Sequence, residues 1–156
     1  MKTKASLLIK KMKSKGLTLA LAESMTCGLA ANKLSLTPGT SDVLIGSIVC
    51  YSPQLKMSLL KISKAKVETY TCESKQITQA MAVNLSKIVK ADVYAAITGL
   101  ASPGGSETKK KPVGTVFFCI KKGSKHYNYK RRFYGSPLTI HKKACAALYD
   151  FILSKI

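Results

Sequence analysis

Three short apolar runs, Leu17–Ala22, Val43–Tyr51 and Asp92–Thr98, recur along the chain with segments of helical period between them. Short strands that alternate with helices pair through crossovers, so this order dictates a layered α/β fold. Between residues 4 and 15, Ala5, Leu8, Ile9 and Met12 fall at helical spacing, and Gly16 fits a C-terminal cap. A helix is expected over 25–36, stopped by Pro38-Gly39, and another begins at Ser52-Pro53, where proline is tolerated in the first turn. A small helix is expected over 64–70. Ser74 is a good N-cap for a longer one that carries Ile77, Met81, Leu85 and Ile88 on one side, and a last helix runs over 138–153. Residues 113–121 and 125–134 read as a hairpin across Lys122-Gly123-Ser124, which makes the sheet mixed. Val43–Tyr51 reads as a buried strand. With no repeat and no dividing linker, residues 1–156 are expected to form a single domain, long enough to bury a full core.

In open α/β sheets ligands sit beyond the carboxyl ends of strands. Here those ends are Glu23-Ser24, Tyr51-Ser52 and Thr98-Gly99, and the three corners are expected to share one site. Ser24 lies between a strand and a helix, where the amides of Met25 to Gly28 can hold an oxyanion, aided by the positive end of the helix. Cys27 is a competing nucleophile, since a thiolate at a helix N-terminus can be activated, but packing is its plainer role. A serine needs a base. The chain has only His126 and His141, both in the C-terminal third and neither at a strand end, so a Ser-His-Asp triad is not expected. A lysine whose pKa is lowered by burial can serve instead. Three Ser-x-x-Lys matches occur, about as many as chance provides in a chain this rich in both residues. Lys56 is a better candidate, one helical turn past Tyr51-Ser52 among Leu55, Met57, Leu59 and Leu60; otherwise it is a surface lysine on an amphipathic helix.

The loop Thr98-Gly99-Leu100-Ala101-Ser102-Pro103-Gly104-Gly105-Ser106 is a near miss to a nucleotide-binding P-loop, with Gly105 where the lysine should stand and Pro112 opposing a following helix. It is either a ligand-binding loop that offers backbone amides or a plain connection.

Composition narrows the partners. The net charge is +19, from 26 basic against 7 acidic residues, which suggests polyanions. All but Arg131 and Arg132 of the basic residues are lysine, and they are scattered, so only non-specific affinity for nucleic acid is expected. Five cysteines, odd in number and without a C-x-x-C pair, argue against a disulfide framework and a zinc site, and Cys50, Cys119 and Cys145 read as small core residues. No apolar run approaches the roughly 20 residues that span a bilayer, and the basic N-terminus lacks a continuous signal-peptide core, so no membrane association and a cytoplasmic location are expected.

The segments Ala22-Glu23-Ser24-Met25-Thr26-Cys27-Gly28, Pro38-Gly39-Thr40-Ser41, Tyr51-Ser52-x-x-x-Lys56, Thr98–Gly105 and Lys111-Pro112-Val113-Gly114-Thr115, in this order and spacing, resemble the C-terminal domain of the competence/damage-inducible CinA proteins. That group includes stand-alone bacterial nicotinamide-nucleotide amidohydrolases. The resemblance covers the chain from about Leu17 to its end. It implies a three-layer α/β/α sandwich with a mixed sheet, usually an oligomer, with a dimer favoured. It also implies conversion of nicotinamide mononucleotide to nicotinate mononucleotide and ammonia, a salvage step towards NAD, with no metal and no cofactor. The family's serine, lysine and tyrosine fall on Ser24, Lys56 and Tyr51: Ser24 attacks the carboxamide, Lys56 takes its proton, and Tyr51 orients or relays. The substrate is expected to lie against Thr26, Gly28, Thr98, Gly99, Gly104, Gly105, Gly114 and Thr115. The sequence departs from the family pattern at Cys27 and Ser102, each in place of a glycine, and at Gly135-Ser136-Pro137, where the pattern has Gly-Asp-Arg. The alternative is a catalytically weak domain of this kind that retains nucleotide or partner binding.

Overall fold

Alternate side chains of a strand face opposite sides of its sheet, and on the first strand the two sides are sorted by size. On β1 (Leu19–Glu23), Leu19 and Leu21 point into one apolar layer and Ala20 and Ala22 into the other. On β3 (Val93–Gly99), Val93, Ala95 and Ile97 join the first layer, and Tyr94 and Ala96 the second. This arrangement is seen in a computed structural model that describes residues 3–156.

The remaining elements are α1 (Lys4–Ser14), α2 (Leu29–Ser35), β2 (Leu44–Val49), α3 (Pro53–Ser58), α4 (Lys64–Tyr70), α5 (Lys75–Leu85), β4 (Thr115–Lys122), β5 (Lys125–Arg132) and α6 (Pro137–Leu153). The sheet order is β2-β1-β3-β4-β5, with β1 parallel to both neighbours and β4 antiparallel to β3 and β5. Helices α1, α2 and α6 cover the layer that holds Leu19, Leu21, Val116, Phe118 and Ile120. Helix α5 covers the other, where alanines leave room for its fully buried Ile77, Met81 and Leu85. Each such side chain contributes roughly 1.5–3 kcal/mol on leaving water. The fold is the expected three-layer α/β/α sandwich with a mixed sheet. No helix among the described residues is long and apolar enough to cross a membrane.

Local signals account for the helix starts. Ser52, Ser63, Ser74 and Ser136 each cap a helix by accepting a backbone amide on the side-chain oxygen. Pro53 and Pro137 follow two of these caps. Helix α1 buries Ala5, Leu8, Ile9 and Met12, the four residues whose spacing marks it in the sequence.

Two expectations are corrected. Strand β2 is not buried: it is an edge strand, half-exposed along its length, because nothing in the described chain pairs beyond it. The helix expected over 25–36 begins only at Leu29, because Cys27 and Gly28 both take left-handed backbone angles and a right-handed helix cannot pass through them.

Candidate active site

Strand β1 delivers Ser24 to the carboxyl edge of the sheet, where its amide still donates to the carbonyl of Ile97 (3.1 Å), so its backbone is held as firmly as the strand. The chain leaves β2 at Cys50 and Tyr51, turns through Ser52 and enters α3. One turn in, Lys56 folds its side chain back beneath that exit and is fully buried. Its Nζ donates to Ser24 Oγ (2.8 Å), to the Cys50 carbonyl (2.7 Å) and to the Tyr51 carbonyl (3.2 Å). Burial holds the Lys56 pKa below the ordinary lysine value, opposed by Cys72 and Glu73 nearby.

That set of partners suits a base. A neutral amine has two N–H bonds and one lone pair. With the two carbonyls taking the N–H bonds of the neutral form, the contact with Ser24 reverses, and the lone pair accepts from its hydroxyl. An ammonium placed so deep without a carboxylate partner is costly, which favours loss of the proton.

Glu23 precedes Ser24 in the sequence motif, which assigns it no role, and the structure supplies one. It is fully buried and accepts five hydrogen bonds. Four come from the turn and first residues of α2: Thr26 Oγ1 (2.7 Å), Gly28 N (3.1 Å), Ala30 N (3.1 Å) and Ala31 N (3.0 Å). The fifth is Ser47 Oγ on β2 (3.0 Å). The carboxylate therefore fills the positive end of α2 and pins the turn after Ser24 to the neighbouring strand. This corrects the source of the oxyanion donors. Gly28 N is taken by Glu23 and Cys27 N by the Ser24 carbonyl, whereas the amides of Met25 and Thr26 have no partner among the described residues.

Cys27 is exposed, so its expected packing role is not what the structure gives it. It occupies a left-handed conformation (φ 46°) in which a side chain is strained. Cys27→Gly is expected to stabilise the protein by about 1 kcal/mol, because glycine adopts that conformation freely. Urea denaturation checks the gain. A loss of stability contradicts this account of the turn.

A cleft of about 400 Å³ opens above Ser24 and Met25. The loop from Gly99 to Gly105 forms one wall, Tyr51 and Glu73 stand at another, and Pro137 and His141 close it from the first turns of α6. Ser24, Tyr51 and Gly99, from the three strand ends, thus meet in one site. His141 is at no strand end, as expected, yet it reaches the cleft from helix α6. It lies four residues after Pro137 and shares that face of α6, a spacing visible in the sequence once the helix is placed.

The residues expected to bind substrate divide. Gly99, Gly104 and Gly105 line the cleft. A Cβ at Gly99 would lie 2.6 Å from Met25 Sδ and 2.8 Å from the Thr115 carbonyl, so the strand passes there only as glycine. The amides of Gly104 and Gly105 donate to the two oxygens of Glu107 (2.8 Å each), so a carboxylate from the loop itself fills the expected phosphate cradle. The other five do not line the cleft. The Thr26 hydroxyl and Gly28 amide serve Glu23. Thr98 is buried against Thr78 of α5 (2.8 Å between hydroxyls), and Thr115 donates to the Pro112 carbonyl (2.6 Å). At Gly114 any side chain would strike the backbone of Phe133. The phenol of Tyr51 is 65% exposed and bonds to neither Ser24 nor Lys56; its carbonyl is what reaches the lysine.

The model of the CinA C-terminal domain family matches residues 1–156. A CinA-like protein of Pseudothermotoga lettingae is 38% identical over 148 residues, covering 94% of this chain and 36% of the relative. One from Mycobacterium avium is 44% identical over 108 residues, covering 69% of this chain and 25% of the relative. The chain thus spans about a third or less of the length of these curated relatives. Among solved structures, the competence-damaged protein (CinA) superfamily protein from Escherichia coli superposes with a TM-score of 0.92 at 29% identity, covering 98% of this chain and 88% of that one. Its counterpart from Enterobacter cloacae gives 0.90 at 30% identity, covering 99% and 94%.

Proposed function

The chain belongs to the CinA C-terminal domain family, and on that premise we propose that it is an amidohydrolase that converts nicotinamide mononucleotide to nicotinate mononucleotide and ammonia. The observation that carries this reading is the buried Lys56 Nζ, 2.8 Å from Ser24 Oγ at the floor of an open cleft.

In the proposed reaction, neutral Lys56 takes the Ser24 proton as Oγ attacks the carboxamide carbon. The amides of Met25 and Thr26 receive the developing oxyanion. Lys56, now an ammonium, returns the proton to the amide nitrogen, and the C–N bond breaks to release ammonia and leave an ester on Ser24. Water, deprotonated by Lys56, attacks the ester, and Ser24 regains its proton as the acid leaves. The Cys50 and Tyr51 carbonyls hold Lys56 in line throughout. The exposed ring of Tyr51 sets the orientation of the substrate ring at the mouth.

The direct test is ammonia release from nicotinamide mononucleotide by the protein, against nicotinamide and glutamine as other carboxamides. Release from the nucleotide supports the reading. Saturable nucleotide binding without release favours the alternative of a binding domain.

The Lys56 shift fixes a pH dependence. The base must be neutral, so kcat is expected to rise with pH through the Lys56 pKa, which lies below the ordinary lysine value. Stability follows the same sign. In the window between the lowered folded value and the ordinary unfolded one, the unfolded chain holds a proton that the folded chain has lost, so stability climbs as pH rises through it. Lys111, also lowered by partial burial, adds in the same direction. Denaturation midpoints measured from pH 7 to pH 10 check the slope, and a fall across that range contradicts it.

A further inference from the structure

The chain has seven acidic residues, and among the described residues Glu73 is the one that lines the cleft. It stands in the connection between α4 and α5, in the short stretch that begins with Thr71 in a left-handed conformation (φ 63°). Its Oε2 accepts a hydrogen bond from the hydroxyl of Ser106, on the far side of the glycine loop. Lys111 Nζ then donates to Ser106 Oγ (2.8 Å), Thr71 Oγ1 (2.7 Å) and the main-chain carbonyl of Glu73 (3.0 Å). The lysine thus bonds to two hydroxyls and a carbonyl around the carboxylate, and no ion pair to Glu73 occurs among the described residues. Oε1 has no hydrogen-bond partner there either, and the residue is only half-exposed.

A carboxylate is therefore oriented by its neighbours, left without an ion-pair partner, and set in the wall of the site of a strongly basic protein. Lys56 and Lys111 stand near the carboxylate without touching it, so one of its oxygens stays open to a cation that enters the cleft and makes the direct contact they do not. The exposed ring of Tyr51 lines the same cleft and offers a second surface that attracts cations. We infer that Glu73 determines specificity by selecting carboxamides carried on a positively charged ring. This rests on the proposed amidohydrolase reading of the cleft and names the charge its substrate carries. Lys111 and Ser106 act as positioning residues that fix the carboxylate.

Oxidised and reduced nicotinamide mononucleotide test this, because they share the carboxamide, ribose and phosphate, and only the oxidised ring is cationic. Their dissociation constants are measured by titration calorimetry on Ser24→Ala protein, which stops turnover, with and without Glu73→Gln. The Ser24→Ala protein is expected to prefer the oxidised form by about fivefold, the order of a partly exposed charge contact, and Glu73→Gln to bring the ratio near one. As a check that needs no second variant, the preference is expected to shrink as salt is raised from 0.05 M to 0.5 M. No preference, a preference that survives Glu73→Gln, or binding of neither form overturns the inference. A charge preference that behaves as expected, with no ammonia released by the unmodified protein, overturns the amidohydrolase reading alone.

Discussion

Lys56→Met is expected to reduce ammonia release from nicotinamide mononucleotide by about a thousandfold or more while the protein stays folded. Methionine keeps the length and apolar stem of the side chain and removes the amine. A general base acting on a serine contributes on the order of 10²–10⁴ in rate, and in the proposed reaction the same group also protonates the departing nitrogen, so both proton transfers are lost together. Stability is expected to change little, within about 2 kcal/mol. The carbonyls of Cys50 and Tyr51 lose a donor, which costs stability, while a fully buried amine leaves the interior, which restores it. Lys56→Arg is expected to be equally inactive, because a guanidinium keeps its proton at any workable pH. Steady-state ammonia assays paired with urea denaturation separate this result from simple unfolding. Substantial turnover by well-folded Lys56→Met protein contradicts the role assigned to the lysine.

Glu23→Ala is expected to destabilise the fold by about 3–5 kcal/mol, among the larger effects a single substitution produces. Five donors lose their acceptor at once, and those of Thr26 and Ala30 are buried. Each buried donor left without a partner costs on the order of 1–3 kcal/mol, and partial access of water to the others limits the sum. Against a total stability of roughly 5–15 kcal/mol, the loss is a large fraction. Activity is expected to fall further than stability alone requires, because the same carboxylate pins the turn that carries the Met25 and Thr26 amides. Glu23→Gln separates charge from shape: its carboxamide oxygen keeps part of the network, but its NH₂ faces donors. It is expected to lie between the wild type and Glu23→Ala in denaturation midpoint. A Glu23→Ala protein as stable as wild type contradicts the account.

Much of the architecture is legible in the sequence because each signal is local. Ser74 before a helical apolar pattern, Ser52-Pro53, and the Gly123-Ser124 turn state their roles within a few residues. The edge position of β2 is not legible, since an apolar run reads alike whether one or two strands flank it. The late start of α2 is hidden because a cysteine gives no warning of a left-handed conformation. At the site, the pairing of Ser24 with Lys56 follows from strand ends and one helical turn, which local reasoning reaches. Thr26, Gly28, Thr98, Gly114 and Thr115 lie within motifs but outside the cleft's lining, because motif membership cannot tell a residue that lines a site from one that holds the residue that does. Glu23 had a signal, as the single acid at the end of an apolar strand. Glu73 had none, because its importance arises only when the loop carrying Ser106 and Lys111 folds across it.

The central claim is that Ser24 is the nucleophile and Lys56 its base. The most direct measurement is ammonia release from nicotinamide mononucleotide by Ser24→Ala protein beside wild type, with Cys27→Ser as the matched change at the competing thiol. The account predicts a loss of about a thousandfold or more for Ser24→Ala and wild-type turnover for Cys27→Ser. Turnover that survives in Ser24→Ala, or disappears in Cys27→Ser, would contradict it.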